Sequence, residues 1–370
     1  MPPGPCFLDS PDLVCRANFR FESLNDQPLS HLTVMNTNNF NEFILGSTRR
    51  FAMPIAVYPG LALTGARVID VVSNPRTQVE TQIALLDRYQ TSFVLSAMDL
   101  SAEAEAFGCT VHFSDTEVPA VTGRLVTDLE QAKRLGVPQP GDKRTAVHLE
   151  AVRGLRALPG HPLVLGGCIG PFSLAARLVG VSEALELTLA DPDLMHVVLE
   201  KSAAFLTDYL RAFRSAGANG VIIAEPAAGL LSPRGLAAFS SAYLKTMAAA
   251  VAGNRFSLVL HNCGARLVHL PAILETGLKS FHFGTPMDIV AALGKVPADV
   301  VLCGNLDPAG VFCQLSAEEV KARAVGLLAA TDGHRNFVLS SGCDLPPNTP
   351  LGNLDAFFAT LKPVAAASAA

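Results

Sequence analysis

Ser257-Leu-Val-Leu-His261-Asn262-Cys263-Gly264 is a short apolar run that stops at a histidine, a cysteine and a turn glycine. Phe337-Val-Leu-Ser-Ser-Gly-Cys343-Asp344 repeats the pattern near the other end of the chain. Strands covered on both faces lose polar alternation and read as near-continuous apolar runs, as in a parallel sheet. These two runs supply candidate strands Ser257–Leu260 and Asn336–Ser340. Six others resemble them: Met53–Tyr58, Ser92–Ala97, Leu163–Gly167, Gly220–Ala224, Ser280–Phe283 and Val300–Cys303. Each is closely followed by Gly, Pro, Asp or Asn.

Between the runs, apolar residues recur three and four apart, as on one face of a helix. The clearest stretches are Thr77–Tyr89, Asp191–Ala216, Ser232–Val251 and Ser316–Ala330. Asp191-Pro192 and Ser232-Pro233 are helix starts, an oxygen-bearing cap followed by proline in the first turn. Eight strands alternating with helices predict an α/β fold of the (β/α)₈ TIM-barrel type. An open doubly wound sheet gives a similar pattern, and the strand count favours the barrel.

The expected organisation is an N-terminal helical or irregular extension (1–50), the barrel (51–363) and a flexible Ala/Ser tail (364–370). Val118–Arg153 is more polar, contains Pro138-Gln-Pro-Gly-Asp142, and reads as an insertion between the second and third strands that can serve as a lid.

Composition excludes several function classes. Hydrophobic residues make up 49% against 16% charged, the reverse of what keeps a chain disordered. A net charge of −5 and a pI near 6.0 provide no electrostatic footprint for nucleic acid. No dense Lys/Arg cluster suits a membrane surface, and no apolar run is long enough to span one. The first residues carry Asp9 and Asp12 and lack a basic start before an apolar stretch, so they do not read as a secretory signal. A cytoplasmic protein is expected, in which the eight cysteines serve as thiols or metal ligands rather than as a disulfide framework.

In a barrel the C-terminal ends of the strands share one rim. His261, Cys263 and Cys343 can therefore meet, although the two cysteines are about 80 residues apart. Soft thiolates with a borderline imidazole suit zinc, and three ligands leave a fourth position for substrate. The alternative is that these cysteines are small buried hydrophobes. Other strand-end residues have double readings. Glu225 either accepts a thiol proton, or occupies the open metal position, or binds loop amides. Asp99 either orients substrate or caps the helix starting at Ser101. His282 contacts substrate or is structural, and Cys168 and Cys303 are packing residues or substitute ligands.

His-x-Cys with a distant Cys resembles the zinc methyltransferases of the uroporphyrinogen decarboxylase superfamily. Further motifs carry the likeness: Met98-Asp-Leu-Ser-Ala-Glu-Ala-Glu-Ala-Phe-Gly108, Ile169-Gly-Pro-Phe-Ser173, Gly304-Asn-Leu-Asp307-Pro308 and Ser341-Gly-Cys-Asp-Leu-Pro-Pro-Asn-Thr-Pro350. The resemblance spans roughly residues 50–360 and implies a (β/α)₈ barrel with zinc on His261, Cys263 and Cys343. It implies a bound thiol that takes a methyl group from a methylcobamide, the corrinoid being carried by a partner protein docked over the barrel mouth. His282 and Asp307 would face the cofactor. Coenzyme M is one expected thiol, with Arg266 or Lys279 against its sulfonate; homocysteine is another, and a folate would be a different acceptor altogether.

Two alternatives remain. A metal-free uroporphyrinogen decarboxylase needs arginines after its first strand. Pro54-Ile-Ala-Val-Tyr58-Pro-Gly-Leu-Ala-Leu-Thr-Gly65 holds none, and Arg49 and Arg50 precede the strand, toward the opposite end. The second alternative is a non-catalytic module that binds a corrinoid protein.

Overall fold

The computed structural model describes residues 39–160, 162–253 and 255–361. Most of the expected extension, the 364–370 tail, Cys6 and Cys15 lie outside the described residues. Nine strands occur among the described residues: β1 (Phe93–Leu95), β2 (Thr110–His112), β3 (Ala120–Thr122), β4 (Leu163–Ile169), β5 (Gly220–Ala224), β6 (Ser257–Asn262), β7 (Ser280–Phe283), β8 (Val301–Leu306) and β9 (Phe337–Ser341). Seven form one curled parallel sheet in chain order, β1-β4-β5-β6-β7-β8-β9, while β2 and β3 form a separate antiparallel pair. The expected alternation with helices is observed, as in Pro75–Tyr89, Pro192–Ser215 and Ala317–Ala330.

The first candidate strand, Met53–Tyr58, is not a strand. It is irregular backbone that turns into the 3₁₀ helix Tyr58–Gly60 and is joined to the sheet by a single bridge, Ala52 to Leu339. Met53 N–H donates to Leu339 C=O (2.9 Å) and Leu339 N–H donates to the Phe51 carbonyl (3.0 Å). Pro54 then has no N–H to continue a ladder.

On its other side, two glutamines of the helix Pro75–Tyr89 take the place of a backbone ladder with β1. Gln82 donates to the Ala56 carbonyl (2.9 Å) and accepts from Leu95 N–H (2.9 Å). Gln78, one turn earlier, accepts from Ala97 N–H (3.0 Å) and donates to the Val71 carbonyl (3.1 Å). Both are buried, so they satisfy backbone groups that would otherwise be orphaned.

Side chains alternate between two cores, except at the end of β4, where Cys168 and Ile169 both join the outer one. Leu163, Leu165, Ile222, Ala224, Val259, Val301, Cys303 and Val338 fill the inside of the curl. Val164, Val221, Ile223, Leu258, Leu260, Phe281, Phe283, Leu302 and Leu339 pack outward against the helices. The helix Phe40–Leu45, the described part of the N-terminal extension, closes the base. Phe40 and Ile44 are buried, and Phe40 N–H donates to Ser257 Oγ (3.1 Å) at the start of β6.

Between β1 and β4 the chain forms β2, β3 and the helices Ala102–Phe107, Leu129–Arg134 and Thr145–Arg156. Arg144 ties this region to the end of β1, donating to Asp99, to Glu105 (2.6 Å) and to Ser101 Oγ (2.9 Å). Among the described residues, no helix is long and apolar enough to cross a membrane.

Two predictions follow from this packing. Gln82→Leu leaves the Leu95 N–H and the Ala56 carbonyl buried without partners, at about 1–3 kcal/mol for each orphaned group. Chemical denaturation should register that loss with an unchanged m-value.

His148 is buried with neither ring nitrogen hydrogen-bonded, and burial pulls its pKa down to about 4. Its depressed folded pKa means that the unfolded chain binds the extra proton first. Stability should fall as pH drops from 6.5 toward 4, by at most about 1.4 kcal/mol per pH unit. His148→Phe should flatten the denaturation profile in that window.

Candidate metal centre

His261 is the fifth residue of β6 and has the same parity as Ser257 and Val259, so its ring lies on the inner face of the curl. Cys263 follows immediately after the strand, and Cys343 follows β9 by two residues. One ligand atom from each of the three lies within 4.8 Å of the others. His261 is 3% exposed, whereas both cysteines are half-buried, so the sulfurs form the open side of the cluster.

Close backbone contacts set these positions. A Cβ on Gly284 would stand 2.1 Å from the Cys263 carbonyl oxygen, so the turn after β6 can lie directly on the chain leaving β7 only because residue 284 is glycine. On the other flank, Leu345 N–H donates to the Ile55 carbonyl (2.9 Å), and Ile55 N–H donates to Ser341 Oγ (3.1 Å). The segment that bears Cys343 is thereby laced to the Met53–Tyr58 segment.

A hydrogen-bond chain sets the tautomer of His261. Ser340 Oγ–H donates to the Met53 carbonyl, which can only accept, so Ser340 Oγ must accept from His282 Nε2 (2.8 Å). Burial holds His282 well below its ordinary pKa, and the neutral ring then offers Nδ1 as an acceptor. That Nδ1 faces His261 Nδ1 at 2.8 Å, so His261 donates there. The lone pair of His261 is consequently on Nε2, which is buried with no hydrogen-bond partner. A buried, unpartnered imidazole acceptor beside two thiols has the donor set of a tetrahedral zinc site with one position left over. An outer-shell partner on the other ring nitrogen is the usual support for such a ligand.

The proximity of the two thiols shifts them in opposite directions. Hydrogen bonding from Cys343, followed by the neighbouring His261, holds Cys263 well below the ordinary thiol pKa. Cys343, the donor to that sulfur, is raised well above it.

The other candidates are placed differently. Glu225 is wholly engaged. Its oxygens accept from Phe172 N–H (3.0 Å), Ser173 N–H (2.8 Å), Ser173 Oγ (2.6 Å) and Ser240 Oγ (3.0 Å). It shares parity with Val221 and Ile223 and so faces outward, holding the N terminus of the helix Pro171–Val179. A π-turn over Ala237–Ser241 delivers Ser240 to it. This contradicts the reading of Glu225 as acceptor of the thiol proton, because both oxygens are already saturated on the helix side.

Asp99 accepts from Ser101 N–H (3.0 Å) and Ser101 Oγ (2.6 Å) and pairs with Arg144, closing the turn before the helix Ala102–Phe107, whose N-cap position is Ser101. Asp307 accepts from Ala309 N–H (3.0 Å) and Gly310 N–H (2.9 Å), closing its own turn. His282 stands one hydrogen bond behind His261. Cys168 packs outward and Cys303 inward, both as core residues.

Lys279 lies at the start of β7, on the rim away from His261, and pairs with Asp299 (2.8 Å). Arg50 binds the Leu328 carbonyl (2.9 Å) and Thr331 (2.6 Å), also toward the start of β9. Sequence reading missed Ser340 and the true place of His282. The two-residue period marks both as inward-facing, but the register that aligns His261 with His282 exists only in the sheet.

Ser340→Ala removes the acceptor for His282 Nε2 and frees the His261 tautomer. Zinc affinity, measured by competition with a chromophoric chelator, should fall about 10–100-fold, while Cys303→Ala, outside the chain of hydrogen bonds, should leave it unchanged.

The comparisons with known proteins follow the same lines. The family model described as Uroporphyrinogen decarboxylase (URO-D) matches residues 31–364. A uroporphyrinogen decarboxylase of Ectopseudomonas mendocina is 29% identical over 324 residues, covering 84% of this chain and 90% of that protein. The methylcobamide:CoM methyltransferase MtbA of Methanosarcina mazei is 30% identical over 260 residues, covering 69% of this chain and 75% of that protein. A solved methyltransferase from Methanosarcina mazei superposes with a TM-score of 0.78 at 24% identity, covering 88% of this chain and 98% of the other. That likeness concerns the fold. With a TIM-barrel-like sheet and a family match over nearly its whole length, the chain belongs to the uroporphyrinogen decarboxylase family.

Proposed function

We propose that this protein is a zinc-dependent methyltransferase that moves a methyl group from a methylcobamide, carried by a corrinoid protein, to a thiol. The observation that supports this most directly is the convergence of His261, Cys263 and Cys343 around a buried, unpartnered Nε2. In the same reading, residues 51–363 form one (β/α)₈ barrel whose gap between Ala56 and Leu95 is bridged by Gln82.

Zinc bound to these three residues would hold an acceptor thiol as its thiolate at neutral pH, since the charge of the metal replaces the proton. The chain's own residues then do the rest. Cys263 and Cys343 supply soft, half-exposed donors on the side open to substrate. His282, Ser340 and the Met53 carbonyl keep the His261 lone pair on Nε2. Once the thiol is ionised, no separate base is required. This agrees with the engagement of Glu225 elsewhere. The methyl donor arrives over the same rim, where the partly exposed sulfurs lie.

Similarity alone favours decarboxylases as much as MtbA. The site favours methyl transfer. A decarboxylase that works without metal has no use for three converging ligands, and its polycarboxylate substrate needs free cations. Arg50 is committed toward the base of the sheet, and Arg144 is committed to Asp99 and Glu105.

Purified protein should contain about one zinc per chain by elemental analysis, and Cys343→Ala should lose it. The zinc-loaded protein should demethylate methylcobalamin in the presence of a thiol and stop after chelation. Porphyrinogen decarboxylation that survives complete chelation would overturn the reading.

A further inference from the structure

The motif Gly304-Asn-Leu-Asp-Pro308 holds more than the turn that Asp307 closes. Asn305 and Leu306 end β8, which lies between β9, leading to Cys343, and β7, on whose exit the Cys263 turn rests. The Asn305 amide directs both its hydrogens at one turn, donating to the Gly284 (3.0 Å) and Met287 (2.7 Å) carbonyls. Met287 N–H closes the same turn by donating to the Gly284 carbonyl (3.1 Å). One side chain therefore pins both ends of the chain leaving β7.

That turn lies against both cysteine turns. A Cβ on Gly284 would stand 2.1 Å from the Cys263 carbonyl oxygen, and one on Gly342, directly before Cys343, would stand 3.1 Å from Thr285 N. Across the Cys263 turn, a Cβ on Gly229 would lie 2.8 Å from Gly264 Cα, so that turn is held between two loops. The Leu306 carbonyl accepts from Gly342 N–H (2.5 Å). The Asn305 side chain thus sets the level of one cysteine turn, and the backbone of the next residue sets the other.

A zinc–sulfur distance of about 2.3 Å in a tetrahedron puts two thiolates about 3.8 Å apart. The three ligand atoms here lie within 4.8 Å of one another. A loosening on the order of 1 Å in either turn is then enough to cost one ligand. We propose that Asn305 is a positioning residue for the metal centre, fixing the separation of the Cys263 and Cys343 sulfurs through the turn 284–287. This rests on the metal centre in the reading above, and not on which group the protein transfers.

Asn305→Leu removes both donors at similar volume. Cobalt(II) binding to the full chain, measured by competition with a chromophoric chelator, should weaken about 10–100-fold. The sulfur-to-cobalt charge-transfer band per bound ion should also fall, because one sulfur leaves the metal. Phenylarsine oxide, which bridges two thiols of matched spacing, reads the same pair without any metal. The metal-free wild type should form an adduct that masks Cys263 and Cys343 together, and Asn305→Leu should lose it. Asn353 provides the matched control, since it likewise donates to two carbonyls of one turn, Phe312 (2.8 Å) and Leu315 (2.9 Å). Asn353→Leu should leave both readouts unchanged. Asn305→Ala, which adds no bulk, should repeat the leucine result and replaces that variant if it does not fold.

Wild-type cobalt affinity and band intensity in the Asn305 variants overturn the proposal. An equal loss in Asn353→Leu overturns it too, because the effect is then one of general stability. If the arsenical bridges the two cysteines of the wild type and not those of the Asn305 variants, yet no protein binds cobalt, the positioning role holds and the metal reading falls. A wild type that binds neither probe overturns both.

Discussion

Every second residue of a strand in this sheet faces into the curl, and the others face the helices. The chemistry at the rim depends on that alternation. His261, His282 and Ser340 have inward parity on β6, β7 and β9, and they join into one hydrogen-bonded row that ends on the Met53 carbonyl. Glu225 has outward parity on β5 and becomes a helix anchor with four charge-assisted bonds. Shifting a strand by one residue would exchange those roles, because the period is two. The parallel register and the dense inner core, with Val259, Val301 and Val338 in adjacent layers, hold the strands against such a slip.

The same alternation explains why the site has a firm side and an open one. The imidazole is buried and braced through two further side chains, while the two sulfurs lie in turns beyond the strand ends and remain half-exposed. A ligand held rigidly from below and reachable from above suits a metal that must exchange its fourth partner. Close backbone contacts do the positioning. Gly284 lets the Cys263 turn settle on the chain leaving β7, and Asn305 fixes that chain by donating to the Gly284 (3.0 Å) and Met287 (2.7 Å) carbonyls.

The point where the sheet would close is handled by side chains. Pro54 breaks the ladder, Gln82 bridges the gap by bonding to Ala56 and Leu95, and Gln78 ties Ala97 beyond β1 to Val71 of the helix Val68–Ser73. This seam adjoins the segment Met53–Tyr58, which Leu345 N–H and Ser341 Oγ tie to the chain bearing Cys343.

Much of this was legible in the sequence. Apolar runs closely followed by Gly, Pro, Asp or Asn marked the sheet's seven strands, and Pro after an oxygen-bearing residue marked the helix starts at Pro192 and Pro233. His-x-Cys and a distant Cys, each at a strand end, were enough to name the three converging residues, because parallel strands covered by helices share one functional rim. Residue parity was also there to be read, and it would have turned Glu225 outward. Other features were settled only by tertiary structure. Which residue lies opposite His261 depends on register between chains of atoms that are distant in sequence. The tautomer depends on a carbonyl at Met53, the status of the first apolar run on the missing N–H of Pro54, and the charge available to a substrate on whether Arg144 already has partners. Composition and spacing specify which groups exist; only packing decides which of them are already satisfied.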